Sequence, residues 1–246
     1  MTILNLGCGT RTSARAVNID WAIPVRLKSS RLGRKVAPLV IKGDRRELYD
    51  AMTGELMAHD LRKGIPFDTG TIDAVYHSHV LEHIDREHIP GFLAEIRRVL
   101  RPGGVHRIVV PDLELVGRAY VASLDAALAG TGDSAAHDAH DAHDATVSAL
   151  LEQSVRRAAA GSSEQRPARR RLENAVLGDA RKRGETHQWM WDRVNLSQAL
   201  LEAGFTGPTV VDFQTSAIDD WPGTGLDQQP DGSEYRPGSL YLEARA

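Results

Sequence analysis

Five short apolar runs punctuate the first half of the chain: Ile3–Leu6, Ala16–Ile19, Glu55–Ala58, Ile72–His77 and Val105–Val110. Each closes on Gly, Asp, His or Pro. Continuous apolar runs of this length suit strands of a sheet covered on both faces. Between the last two, Ile89, Phe92, Leu93, Ile96 and Leu100 recur at helical spacing. Asp85 is the expected N-cap of that helix and Arg101-Pro102-Gly103-Gly104 its stop. Strand, helix and parallel strand in this order predict a doubly wound α/β unit.

The pattern changes after Val110. Asp112–Thr186 runs for 75 residues with helical periodicity and no convincing strand. Leu113, Val116, Tyr120 and Leu124 mark one helix there, and Val147–Ala160 another. Between them His137-Asp138-Ala139 is repeated twice more up to Ala145, a low-complexity stretch expected to be a solvated or disordered loop. Leu151–Thr186 carries nine Arg/Lys against five acids, densest at Arg166, Arg169, Arg170 and Arg171. Beyond His187, Asn195 is placed to cap a helix carrying Leu196, Leu200 and Leu201, which ends at Gly204. Thr209–Phe213 and Leu240–Ala244 read as closing strands, joined by the long connection Gln214–Ser239. The expected organisation is an α/β core over 1–112, a helical insertion over 113–186, partly disordered near 130–146, and a C-terminal part, 187–246, that completes the sheet.

Composition narrows the class without naming an activity. The 246 residues can bury a substantial core, and 41% hydrophobic residues is ordinary for a soluble protein. No run approaches the length of a membrane span and the first residues lack signal-peptide character, so a cytoplasmic protein is expected. A net charge of −3 does not indicate a nucleic-acid partner. The single cysteine, Cys8, excludes an intrachain disulfide and a cysteine-based zinc cluster.

Chemistry enters at Leu4-Asn5-Leu6-Gly7-Cys8-Gly9-Thr10, a strand running directly into a glycine turn. Glycines at such a turn adopt positive φ and let backbone approach a ligand closely. A dinucleotide site wants G-x-G-x-x-G followed by a helix. Here Thr12 stands at the third glycine, and only nine residues, Arg11–Ile19, separate the turn from Asp20, too few for that helix.

The order of motifs resembles the class I S-adenosylmethionine (SAM)-dependent methyltransferases. The glycine turn, Asp20, His59-Asp60-Leu61 with Ile65-Pro66-Phe67, the run Ile72–His83, and Arg98–Gly104 carry the resemblance. It implies a Rossmann-like, mostly parallel seven-stranded sheet, and a cofactor held by Asn5, Gly7, Cys8, Gly9, Arg11, Asp20, Asp60, Leu61 and His77. In that scheme Asp20 takes the ribose hydroxyls and Asp60 faces the adenine amino group. The sequence departs from the family at Asn5, where an acid is usual, and at Arg11, where the third glycine falls. Arg11 is therefore expected to pair with the carboxylate of the cofactor's methionine moiety. Thr186-His187-Gln188-Trp189-Met190-Trp191 resembles a bacterial branch of small methyltransferases with a shortened N-terminus.

His79-Val80-Leu81-Glu82-His83 also fits the inverted zincin pattern, but the methyltransferase pattern itself places Leu-Glu-His-Ile here; some O-methyltransferases of the superfamily it resembles bind magnesium through Glu-x-x-Glu-His at this point, His79 in place of the first Glu weakens such a site, and no metal is expected. The catalytic candidates are His187, as general base, and Asp112, which either contacts the acceptor or caps the next helix. Asn/Asp-Pro-Pro-Tyr, the mark of amide- and adenine-N-methylating relatives, is absent after the fourth strand. The expected acceptor is a small-molecule or sugar hydroxyl in bacterial secondary metabolism. The alternatives are a peptide or other carboxylate drawn by the Arg166–Arg171 cluster, and a catalytically inactive SAM-binding partner protein.

Overall fold

The computed structural model describes residues 1–129, 141–148, 150 and 187–246. The Arg166–Arg171 cluster and the helix expected from Val147 to Ala160 thus fall wholly or mostly outside the described residues, as do the first His-Asp-Ala triplet and His140 of the second. Two compact units divide the chain: Met1–Leu81, His88–Val110 and Val194–Ala246 make the first, Glu82–Glu87 and Pro111–Arg193 the second.

The first unit is a seven-stranded sheet built from β1 (Ile3–Leu6), β2 (Ala16–Asp20), β3 (Glu55–Ala58), β4 (Ile72–Ser78), β5 (Leu100–Pro111), β6 (Thr206–Val211) and β7 (Ser239–Arg245). Its order is β3-β2-β1-β4-β5-β7-β6, with parallel pairing from β3 to β5 and an antiparallel β6–β7 pair. This is the mostly parallel, doubly wound sheet the apolar runs imply. Strand order reverses between β1 and β4, and in open α/β sheets such a switch point opens a crevice at the carboxyl ends of the strands.

Three helices, α1 (Ile23–Lys28), α2 (Arg31–Val40) and α3 (Asp44–Ala51), occupy the β2–β3 connection, where the apolar pattern predicts none. They are short and bury few positions: Val25, Ala37 and Tyr49 join Cys8, Ile41 and Met52 in one core cluster. The helix before β5, α4 (Ile89–Val99), begins four residues later than its expected cap. Asp85 instead precedes a separate 3-10 turn, Arg86–His88, and Pro90 sets the first turn of α4. Asn195 does not cap its helix either: α6 (Arg193–Glu202) already starts at Arg193.

The period of two along the strands sorts side chains to opposite faces. On one face, Tyr76 and Arg107 pack with Trp221 and Tyr241 under the Gln214–Ser239 connection. On the other, His77 and His106 face α4, their Nε2 atoms 3.0 Å apart, with Phe92 and Phe205 stacked beside them. Burial, and then the His77 ring, push the His106 pKa well below its ordinary value of 6.5. Below about pH 6.5 the unfolded ring takes a proton that the folded ring refuses, so stability falls with pH, by up to about 1.4 kcal/mol per unit. Urea unfolding between pH 7 and pH 5.5 should show that slope, and the double variant His77→Leu/His106→Leu should flatten it.

In the second unit α5 (Leu113–Ala129) follows Asp112, whose Oδ1 accepts from the Glu114 amide at 2.9 Å. Residues 141–148 are helical. His143, the last histidine of the repeat, sits there with Nδ1 2.9 Å from Ser123 Oγ and its ring against Tyr120. Among the described residues no helix is long and apolar enough to cross a membrane.

Candidate functional site

The glycine turn hangs from the carboxyl end of β1. Gly7 and Gly9 have φ of +65° and +53°, and the Gly7 and Cys8 amides both donate to Ile19 O on β2, at 2.8 and 3.3 Å. A Cβ on Gly7 would lie 2.5 Å from a methyl of Val80, whereas one on Gly9 would meet open space. Gly7 is thus required by packing, and the space beside Gly9 is left open. The turn from Gly7 to Arg15 contains no helix, as its length dictates.

An amide clasp holds the far side of the turn. Asn5, 2% exposed, donates through Nδ2 to Arg11 O at 2.9 Å and to Asn18 Oδ1 at 3.0 Å. Asn18 Oδ1 also accepts from the Ser13 amide, and its Nδ2 donates to Ser13 O and Ala16 O. The departure from the family's acid at Asn5 therefore has a cause: both partners are acceptors, and a carboxylate has nothing to donate. Asp20 Oδ2 accepts from the Gly9 amide at 2.7 Å and Oδ1 from Ala22 at 2.7 Å, fixing the carboxylate beside the turn. Burial, and secondarily Asp20, push the Cys8 thiol up, so it stays protonated and inert at neutral pH.

A cavity of about 240 Å³ opens over this turn. Its floor is Asn5 and Gly7–Arg11, its side Tyr76, Ser78 and His79, and its far wall Tyr235 and Arg236. Asn5 pairs with Tyr76 in register, and Leu6 with His77, so face parity brings Tyr76 to the cavity and takes His77 away from it. His77, assigned to the cofactor from the sequence, is fully buried on the α4 face; this is a correction, and the alternation along β4 could have supplied it.

Arg11 lines the cavity but is engaged otherwise than expected. Its Nε donates to Leu226 O at 3.2 Å and its Nη2 to Gly225 O at 2.5 Å and to Gln228 O, with the guanidinium 4.0 Å from the Tyr235 ring centre. It pins the C-terminal connection to the turn. The second cation on the wall, Arg236, stacks on the same ring at 5.1 Å. Tyr235, Arg236 and Asn18 were not marked by the sequence: the first two lie over two hundred residues from the turn and no local pattern ties them to it.

Other candidates fall elsewhere. Asp60 and Leu61 are not among the cavity walls. The Asp60 carboxylate caps the 3-10 turn Leu61–Lys63 and takes two bonds from Arg62, at 2.9 and 2.7 Å, which hold its pKa down to about 2. Asp112 adopts the capping role. His79 has a left-handed φ of +53° and bonds Ser239 Oγ at 2.9 Å, outside the 3-10 turn Leu81–His83, so the inverted zincin pairing on one helix face does not form.

His187, in the second unit, stacks edge-on against His83, ring centres 5.0 Å apart. The Gln188 amide donates to Glu82 O at 2.6 Å and the Arg86 guanidinium covers the Trp189 ring at 4.1 Å.

Residues 4–108 match the family model described as a methyltransferase domain. No curated protein matches the chain. Among solved structures, a SAM-dependent methyltransferase of Methanosarcina mazei is 15% identical, with 99% of this chain and 91% of that one covered and a TM-score of 0.44. One of Archaeoglobus fulgidus is 11% identical over 100% and 86%, at 0.43. The 1,6-didemethyltoxoflavin-N1-methyltransferase of Burkholderia thailandensis, with bound 1,6-didemethyltoxoflavin and S-adenosylhomocysteine, is 13% identical over 99% and 70%, at 0.42.

Proposed function

We propose that this chain is a class I SAM-dependent methyltransferase, a reading supported by the match of residues 4–108 to the methyltransferase-domain model, and that it places the methyl group of SAM on a hydroxyl oxygen of a small molecule or sugar. The observation that carries the cofactor's position is the cavity over Gly7–Gly9, with open space where a Gly9 side chain would stand and Arg236 on its far wall; Asp20, not itself a wall residue, holds the Gly9 amide behind it. That set suits a ligand with ribose hydroxyls and an amino-acid carboxylate. SAM supplies a methyl group on a good leaving sulfonium. The chain's share is to bind, to orient donor and acceptor in line, and to take the hydroxyl proton.

Arg236 replaces Arg11 as the residue that meets the cofactor carboxylate, because the Arg11 donors are largely spent on the carbonyls of 225–228. Asp60 is retained as the adenine-side residue only if its Arg62 pair opens. His187 is the proposed base and contributes about 10²–10⁴-fold if it takes the proton.

Calorimetry with SAM tests the binding half. Arg236→Ala should weaken binding about tenfold, a loss of about 1.4 kcal/mol, without lowering the melting temperature. Arg11→Ala should lower both affinity and melting temperature, since it frees the connection; unchanged affinity in both variants would overturn the assignment. Methyl transfer from labelled SAM to a panel of sugar and phenolic hydroxyls, carboxylates and peptides tests the acceptor half. Label on a carboxylate or peptide alone, or SAM binding with no transfer, would sink it.

A further inference from the structure

We propose that Glu82, His83 and His187 form a binding site for one divalent transition-metal ion of the zinc class. One ligand-capable atom from each of the three lies within 4.8 Å of the others. His83 Nε2 lies 3.9 Å from Glu82 Oε1. Bonds of about 2.0–2.2 Å in a tetrahedral site put ligand atoms about 3.4 Å apart, so no pair needs to close by more than about 1.4 Å. Rotamer adjustment covers that distance without moving the backbone.

The backbone is already set for it. Glu82 and His83 sit on one 3-10 turn, Leu81–His83, and the residue following His187 donates its amide to Glu82 O. Two segments more than a hundred residues apart are thereby locked in register beside the three side chains. The donor set is two imidazoles and one carboxylate, which fits a borderline ion and leaves a fourth position for an outside oxygen. Glu82 is 1% exposed, and a carboxylate held that far from water gains most from a compact positive charge. The site differs from the one suggested by the local His79–His83 spacing: His79 is excluded, and the third ligand comes from the far segment.

The site goes beyond the proposed methyl transfer: an ion bound by the His187 ring withholds that ring from the base role, so metal binding is read independently of turnover.

The test uses the full chain stripped with a chelator and titrated with Co²⁺, followed by visible absorption, with Zn²⁺ content read by mass spectrometry. One equivalent of Co²⁺ should bind with tetrahedral ligand-field bands and be displaced by Zn²⁺. His187→Ala and Glu82→Gln should each weaken binding at least tenfold; the second keeps the side-chain volume and serves if the first fails to fold. A variant with His137, His140 and His143 all changed to Ala should bind as the parent does. No stoichiometric uptake, or uptake lost in the repeat variant and kept in His187→Ala, would overturn the site. Metal content is read without turnover, so failure of the acceptor reading leaves this result intact, and failure of metal uptake leaves methyl transfer intact.

Discussion

Arg107→Ala should cost about 3–5 kcal/mol, a large share of a domain stability that is typically about 5–15 kcal/mol. Arg107 is fully buried and spends its guanidinium on Asp227 Oδ2 at 2.9 Å, Glu243 Oε1 at 2.8 Å, and the carbonyls of Thr215 and Asp212 at 2.9 and 2.8 Å. Asp227 also takes bonds from Tyr76 Oη and Trp221 Nε1, at 2.5 and 3.0 Å. Removing the cation leaves two buried carboxylates without their charge partner and frees the Gln214–Ser239 connection from the sheet. Burial already holds the Asp227 pKa above its usual value, and Arg107 is the largest effect opposing it. The variant should therefore regain stability as the pH falls through that raised value, because protonation removes the uncompensated charge. Urea unfolding of Arg107→Ala at pH 7 and pH 5 measures both. A neutral replacement set, Arg107→Met with Asp227→Asn and Glu243→Gln, should recover part of the loss. Stability within about 1 kcal/mol of the parent in Arg107→Ala would show that the network holds nothing.

The second large effect is expected from a single-atom exchange, Asn5→Asp. It installs the acid usual in the family this sequence resembles, yet it should destabilise this chain by about 2–4 kcal/mol and abolish the SAM binding proposed above. The Asn5 amide faces two acceptors, Arg11 O and Asn18 Oδ1, and the position is 2% exposed. A carboxylate there meets both with like polarity, and the turn from Gly7 to Ser13 loses its clasp. The sign of the pH response is fixed: burial raises the new carboxyl's pKa, so the penalty is present above that value and eases as pH falls through it. Melting curves at pH 7 and pH 5, with calorimetry for SAM, are the measurements. An Asn5→Asp protein as stable as the parent at pH 7 would exclude the clasp as the reason for the departure.

What the sequence disclosed follows from how locally each feature is encoded. The strands of the first half were legible because buried parallel strands are apolar along their whole length, and β1, β3 and β4 lie within one residue of their expected limits. The glycine turn was legible because positive φ and close approach leave few residue choices. Helices α1–α3 were not, because they cover one face of the sheet with few buried residues and α2 carries Pro38 inside. The cavity's far wall was illegible for a different reason: Tyr235 and Arg236 meet the turn across more than two hundred residues, in part through Arg11, and no periodicity reaches across that separation. His77 marks an error of parity, since it and Tyr76 are neighbours in sequence and on opposite faces of the sheet.

The pinning of Arg11 also sets an order of events during synthesis. Its partners at 225, 226 and 228 follow it by 214 to 217 residues, and Tyr235 and Arg236 come later still. The glycine turn is translated more than two hundred residues ahead of the wall that closes the pocket above it. Contacts of such long range are slow to form, because the chain must close a large loop before they repay it. A nascent chain therefore waits as an open half-pocket, and capture of the proposed cofactor there would report that the polypeptide has been made at least through Arg236.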